Sequence, residues 1–423
     1  MKLSIFNVVK NLGKQTFIYN TLSRSIISVN CDANESLEDV LFKNKDIQMS
    51  LHENGFIVSD DVDEFAVYKF WVNSKITQRN SLVLTFLVTH LCNFHCFYCY
   101  QGDINPHMQV QLPLCDVLEI IKKAIYESGS RHVDFTFFGG EPLVDIETII
   151  ATSKMLTKIA EKKNIAIHQS IVTNGYLLNE KNAILLDSIG ISTYQITIDG
   201  LETVHNYRRP HNFSNDSYKI IVQNICFLLH GLRGFPEVVL NMNYDKTNYE
   251  DLIVFMEKCP FDLSKVKIKF NPIKVTENNA TKVECIEDVE LARIRRKLNN
   301  ALFRLLGNQN LNFEEYGPCL NKIHNSVVLD RFGNFQKCIY GIGLENNLIG
   351  NSKVIDIGEV LRMGIIDDPC YKEECKTCNL LPFCTGGCQR GVVGKMQLNC
   401  KKEEIYESHV NSIFDFIMKN WNE

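Results

Sequence analysis

At 423 residues, 45% hydrophobic and 22% charged, the chain has the composition of a soluble globular protein too long for one ordinary domain. A net charge of −5 leaves no nucleic-acid footprint, and the basic run from Arg293 to Lys297 sits in a helical pattern that also carries acids. No stretch approaches the ~20 apolar residues that cross a bilayer, and Met1–Lys10 lacks a secretory signal, so a cytoplasmic protein with no membrane partner is expected.

Residues 1–80 read as a small α+β module. Thr16–Tyr19 and Ser25–Val29 flank a polar turn and predict a hairpin. Ser36 with Asp39 marks a helix start, Asp46–Asn54 a second short helix, Phe56–Val58 a strand and Asp63–Val72 a third helix. From about residue 81 the pattern changes. Runs rich in Val, Ile, Thr and Phe at 82–89, 133–138, 168–173, 193–198, 237–244 and 266–272 predict strands. Helical patterns near 113–128, 145–163, 179–189, 217–232, 248–258 and 287–306 lie between and after them. Six strand-then-helix units argue for a parallel α/β core over residues 81–308, an open sheet or a partial barrel, with chemistry at the C-terminal strand ends. Residues 309–423 carry few long helical patterns and many cysteines, the look of a small module held by metal, closed by a helix near 402–419.

Disulfides rarely persist in a reducing compartment, so sixteen cysteines need another account, and metal or cluster ligation is the first candidate. Cys31, Cys115, Cys226, Cys259 and Cys285 are scattered among apolar residues and read as small buried hydrophobes. Cys92, Cys96 and Cys99 are different. They follow the first core strand at a spacing that can hold three irons of a four-iron cluster and leave the fourth open. A zinc site, or a redox pair made by Cys96 and Cys99, is the competing reading.

CxxxCxxC after a first strand, with aromatic Tyr98 before the last cysteine, resembles the radical S-adenosylmethionine (SAM) enzymes. The resemblance implies a [4Fe-4S] cluster whose open iron binds SAM, reductive cleavage to a 5′-deoxyadenosyl radical, and an electron donor such as flavodoxin or ferredoxin. It also implies a partial (β/α)6 barrel. Gly139-Gly140-Glu141-Pro142, Thr173-Asn174-Gly175 and Thr197-Ile198-Asp199-Gly200 end the second, third and fourth strands, as the family's SAM contacts do. Arg209 follows, where related enzymes place an arginine on the cofactor carboxylate, with Arg208 as competitor.

Cys319-x13-Gly333-x4-Cys338, then Cys375-x2-Cys378-x5-Cys384-x3-Cys388 and Cys400, resembles the SPASM extension and its two auxiliary [4Fe-4S] clusters. The resemblance implies Cys319, Cys338 and Cys388 on the first auxiliary cluster and Cys375, Cys378, Cys384 and Cys400 on the second. Relatives with a complete first shell carry one more cysteine six residues before the first, and here Phe313 stands there. Cys370, Cys285 or a substrate thiol is left to fill the place.

Two kinds of SPASM enzyme compete. One forms formylglycine in sulfatases; the other modifies ribosomally made precursor peptides, often by a Cys thioether. Formylglycine enzymes place an Asp after the cysteine matching Cys338, where this chain has Ile339. They also begin close to the radical loop, whereas peptide maturases commonly begin with a leader-binding module of the outline seen in residues 1–80. A peptide maturase is therefore expected, with a non-catalytic iron–sulfur or zinc scaffold as the reading from another class. No acid–base residue can be assigned to the substrate step; Tyr98, Tyr100 and Gln101 lie near the radical loop.

Overall fold

The computed structural model describes residues 1–12, 15–30, 36–43, 45–77, 80–101, 110–276, 279–284, 286–307, 318–342, 348–363, 372–387 and 400–420. Cys31, Cys285, Phe313, Cys370 and Cys388 lie outside the described residues.

The N-terminal module opens with β1 (Lys2–Leu3), then β2 (Asn7–Leu12), β3 (Gln15–Asn20) and β4 (Ile26–Asn30). The expected hairpin gains β2 as a third antiparallel strand, in the order β2-β3-β4. Helices α1 (Leu37–Lys43) and α2 (Lys45–Glu53), strand β5 (Ile57–Val58) and α3 (Glu64–Ile76) complete it, β5 pairing with β1. Asp63 caps α3 by accepting from the Ala66 amide.

The core alternates as the sequence pattern dictates. Strand β6 (Ser81–Thr89) leads to α4 (Leu114–Ser128), β7 (His132–Gly139) to α5 (Ile146–Lys163), and β8 (Ala166–Thr173) to α6 (Glu180–Ser188). Strand β9 (Ile191–Thr197) is followed by the short α7 (Glu202–Arg208) and by α8 (Ser217–His230), β10 (Glu237–Tyr244) by α9 (Tyr249–Glu257), and β11 (Lys267–Pro272) by α10 (Asp288–Leu306). Strands β6 to β11 lie side by side in chain order, all parallel. Strand β6 is buried along nearly its whole length, as a strand covered on both faces must be. The main hydrophobic cluster runs from Leu84, Phe86, Phe135 and Phe137 to Ile196 and Leu240.

The sheet does not stop at residue 308. Strand β12 (Ser326–Leu329) adds parallel to the free edge of β6, and β13 (Asn334–Gln336) and β14 (Gly350–Asn351) continue it antiparallel. The part of the chain bearing Cys319 and Cys338 is thus hydrogen-bonded to the strand that feeds the first cysteine loop. Helices α11 (Ile357–Arg362) and α12 (Leu381–Cys384) follow. The closing helix is broken into α13 (Lys402–Ile405), a π-helical turn at Tyr406–Val410 and α14 (Asn411–Asn420).

The two ends of the chain share a core. Val8, Phe17 and Tyr19 pack with Leu380, Ile405, Val410 and Phe414, and Phe6, Tyr68 and Val72 pack with Leu381. The Tyr19 ring stacks on Phe383 at 6.2 Å, and Thr21 Oγ1 donates to the Asn379 carbonyl at 2.5 Å. On the far side, Arg296 of α10 grips Asp415 of α14 through Nε at 2.6 Å and Nη2 at 2.7 Å. No helix among the described residues is long and apolar enough to cross a membrane.

Candidate functional site

The C-terminal ends of β6 to β10 converge on the first cysteine loop. Two glycines set the distance. The Gly140 amide donates to the Thr89 carbonyl and the Glu141 amide to the Leu91 carbonyl, both at 2.9 Å. A Cβ on Gly139 would stand 2.3 Å from the Thr89 oxygen, and one on Gly140 2.4 Å from the Leu91 oxygen, so no other residue fits at either place. The pair therefore holds the chain just ahead of Cys92 against the end of β7. Gln101, beyond Cys99, adds a bond from Nε2 to the Gly139 carbonyl at 2.9 Å.

The cysteine loop is also strapped to the chain after α7. The His95 amide donates to the Pro210 carbonyl, the Phe97 amide to Arg208 and the Asn212 amide to Asn93. Phe94, Tyr176 and His211 close over it, with Tyr176 and His211 stacked at 4.0 Å. Asn174 Nδ2 donates to Asn93 Oδ1 at 2.7 Å, tying the end of β8 to the same loop.

Within this frame the thiols feel one another. Burial, then the charge of Glu141, pushes Cys92 up to about 11; Arg209 pulls the other way. Burial pushes Cys96 up to about 12, with Cys99 and Cys92 adding to the shift and Arg209 opposing it. Cys99 is exposed. Three neighbouring thiols, two of them hard to ionise unaided and one open to solvent, suit a cationic metal group, which deprotonates the thiols it binds.

Beneath the loop lies a buried polar network. Tyr98 donates to Asp199 Oδ2, and its hydroxyl accepts from Arg209 Nη1 at 2.7 Å and from Asn243 Nδ2 at 3.1 Å. Burial raises the Asp199 carboxyl, while Arg209 and Arg208 work against that rise. The two arginines are clearly separated. Arg208 pairs with Asp245 at 3.0 Å, donates to Thr247 Oγ1 at 2.9 Å and lies under the Phe97 and Tyr98 rings. Arg209 faces the thiols, and among the described residues its buried Nε has no hydrogen-bond partner.

Glu141 is wholly enclosed. Its Oε1 accepts from Leu143 N at 3.1 Å and Thr173 Oγ1 at 2.7 Å, and its Oε2 from Asn174 N at 2.7 Å. Burial raises its carboxyl, and these bonds oppose the rise. Glu141 thus bridges the ends of β7 and β8. Thr197 is buried at the end of β9, paired in register with Asn241. Sequence reasoning missed Asn243 and Asn279, whose Nδ2 donates to the Tyr98 carbonyl at 2.9 Å. The Asn241-x-Asn243 pattern at a strand end was the available signal for the first; nothing local marked the second.

The second array forms two groups. Cys375, Cys378, Cys384 and Cys400 line one cavity of about 460 Å³, with Gly386 and Gly387 in its wall. Among the described residues no three His, Cys, Asp or Glu side chains draw together as a single-ion site; these four thiols ring a space instead. Cys319 and Cys338 both act on Tyr340, whose phenol is raised by burial and then by their charges. Cys388, expected with them, lies outside the described residues. Of the scattered cysteines, Cys226 and Cys259 pack on the core as expected, but Cys115 is exposed in the first turn of α4, where it has no core to join.

Residues 86–259 match the model of the radical SAM superfamily. That match and the geometry of the strand ends define a class: residues 86–259 form a radical SAM domain, and the chain is similar to enzymes of that superfamily. Among curated relatives it is 24% identical over 246 residues to the radical SAM cyclopropyl synthase TigE of Paramaledivibacter caminithermalis, a match covering 54% of this chain and only half of TigE. It is 24% identical over 331 residues to a cysteine-type anaerobic sulfatase-maturating enzyme of Clostridium novyi, covering 71% of this chain and 85% of the relative. Among solved structures, anSMEcpe with bound AdoMet and the Kp18Cys peptide superposes with a TM-score of 0.64 at 18% identity, covering 81% of this chain and 100% of that one. Streptococcus suis SuiB, solved with S-adenosylmethionine and also with its precursor peptide SuiA, gives 0.54 at 16% identity, covering 92% of this chain and 95% of SuiB.

Proposed function

We propose that this chain is a peptide maturase that removes a hydrogen from a ribosomally synthesised precursor peptide and installs a crosslink, a Cys thioether. Cys92, Cys96 and Cys99 would hold a [4Fe-4S] cluster, which together with SAM would supply the radical chemistry. The chain's own residues orient and enclose. Arg209, oriented by the Tyr98 hydroxyl, meets the cofactor carboxylate. Gly139, Gly140 and Asn174 shape the space for the cofactor, with Thr197 and Asp199 at its far strand end, while Glu141 fixes the strand ends around it. Phe94, Tyr176 and His211 keep water from the loop. Residues 309–423 act as a SPASM domain, Cys375, Cys378, Cys384 and Cys400 holding one auxiliary [4Fe-4S] cluster and Cys319, Cys338 and Cys388 another. A flavodoxin or ferredoxin supplies the electron, and residues 1–80 bind the leader of the peptide.

The observation that carries the peptide reading is Ile339. It follows Cys338 where a formylglycine enzyme needs a proton-accepting carboxylate, and a butyl side chain accepts no proton. The likeness to SuiB, which extends over 92% of this chain, supports the same reading. Formylglycine formation is the second reading, favoured by the match over 85% of the Clostridium novyi enzyme.

The test is the intact mass of a short cysteine-bearing peptide encoded beside this gene after anaerobic co-expression. A loss of about 2 Da per site, with thiols no longer alkylatable, is expected; a loss of about 18 Da at one Cys overturns the peptide reading in favour of formylglycine.

A further inference from the structure

Lys322 sits three residues after Cys319, and its backbone amide donates to the Cys319 carbonyl at 2.8 Å. The residue is only 3% exposed. Its ammonium crosses to the other cysteine group and donates to the Thr385 carbonyl at 2.5 Å and the Gly387 carbonyl at 3.0 Å. Those carbonyls belong to a loop of unusual shape. Thr385, Gly386 and Gly387 have φ of 46°, 80° and 75°, three left-handed residues in succession. Thr385 is the one non-glycine residue of the run; it caps α12, its amide donating to the Leu381 carbonyl at 2.8 Å, and the Gly387 amide donates to the Cys384 carbonyl at 2.9 Å. These bonds engage the amides of the turn, and its first and third carbonyls turn inward onto the buried Lys322 ammonium. Gly386 and Gly387 form part of the wall of the cavity ringed by Cys375, Cys378, Cys384 and Cys400, and the Lys322 charge acts on the Cys384 thiol.

We infer that Lys322 is a positioning residue that couples the two auxiliary cysteine groups: the turn carrying Cys319 holds, through this ammonium, the wall of the Cys375–Cys378–Cys384–Cys400 cavity. The neighbouring buried lysine is different. Lys337 donates to the carbonyls of Ile323 at 3.2 Å and Ser326 at 2.6 Å, which keeps it within its own group. The inference rests on the two-cluster reading proposed above and adds a dependence that spacing alone does not contain: the second group's cluster needs a side chain from the first group's turn.

The test reads iron, not turnover. The full chain is reconstituted anaerobically with iron and sulfide, and iron per chain is measured beside Mössbauer and EPR spectra. The wild-type protein is expected to hold about twelve irons. Lys322→Met is expected to lose about four of them, together with the spectral component that Cys378→Ser also loses, while Lys337→Met keeps that component. Lys322→Gln, whose amide still reaches one carbonyl, keeps the fold and loses the component in part, which covers the case of a Lys322→Met chain that does not fold. In the iron-free protein, hydrogen exchange across residues 380–387 is expected to quicken in both Lys322 variants. A wild-type chain with only the radical-loop cluster overturns the two-cluster reading itself. A wild-type chain with three clusters and a Lys322→Gln chain with the same three and unchanged exchange overturns this inference alone.

Discussion

The Tyr100 ring, one residue past Cys99, lies 4.9 Å from the ring of Tyr340, two residues past Cys338, at an interplanar angle of 50°. Burial raises both phenols; for Tyr100 the charges of Tyr340, Cys99 and Cys338 add to the shift. One aromatic contact therefore spans the interval between the radical loop and the second cysteine array. Tyr340→Ala is expected to leave SAM cleavage within about twofold while cutting peptide modification about tenfold, as a misplaced substrate would. Tyr340→Phe, which keeps the ring, is expected to stay near wild type. Parallel assays of 5′-deoxyadenosine and modified peptide check the split, and equal losses of both products would argue against it.

The separation of the two arginines gives a second contrast. Removing Arg208 leaves Asp245 buried without its cation, so Arg208→Met is expected to cost about 3–5 kcal/mol of stability, seen in urea unfolding. Arg209→Met is expected to weaken SAM binding at least tenfold with a smaller change in stability, read by equilibrium binding to the reconstituted protein.

Gly140→Ala sets a methyl 2.4 Å from the Leu91 oxygen and must push back the chain that leads into Cys92. The expected result is a folded protein whose radical-loop cluster is lost while the remaining iron stays. Iron analysis with far-UV circular dichroism decides it, and full loading would show that the glycine clasp is dispensable.

Asp415 carries the pH dependence of the contact between α10 and α14. Burial works against its charge, but hydrogen bonds from Arg296 and Asn300 hold the carboxyl below its usual range. A depressed folded-state value means that the stabilisation is present above the unfolded carboxylate pKa of about 3.9 and is lost as pH falls through the folded value. Asp415→Asn is expected to cost about 2 kcal/mol at pH 7 and progressively less below pH 4, measured as the gap between urea midpoints. A gap that stays constant with pH would remove Asp415 from the account.

Much of the core was legible because apolar period and strand-end motifs agree: each strand from 82–89 to 266–272 lies within two residues of its observed bounds. What escaped was non-local or locally ambiguous. Asn7-Val-Val-Lys-Asn-Leu12 looks polar until β3 pairs with it, and Ser326–Leu329 is too short to read as a strand without the open edge of β6 beside it. The closing helix reads as continuous because a π turn keeps helical spacing nearly intact. Cysteine spacing proposes which thiols act together, but the ammonium of Lys322 and the ring of Tyr340 reach their partners across 63 and 240 positions, beyond any local pattern.

The stacking of Tyr19 on Phe383 bears on how such a chain can be dissected. A deletion of residues 1–80 would strip Val8, Phe17 and Tyr19 from Leu380 and Phe414 and lay bare an oily face beside Cys378 and Cys384. The front of the chain therefore serves as a lining as well as a module. A chimera that exchanges it for a foreign recognition unit keeps the cysteine cavity of Cys378 and Cys384 intact only if the incoming unit presents aromatic and aliphatic residues of matching shape.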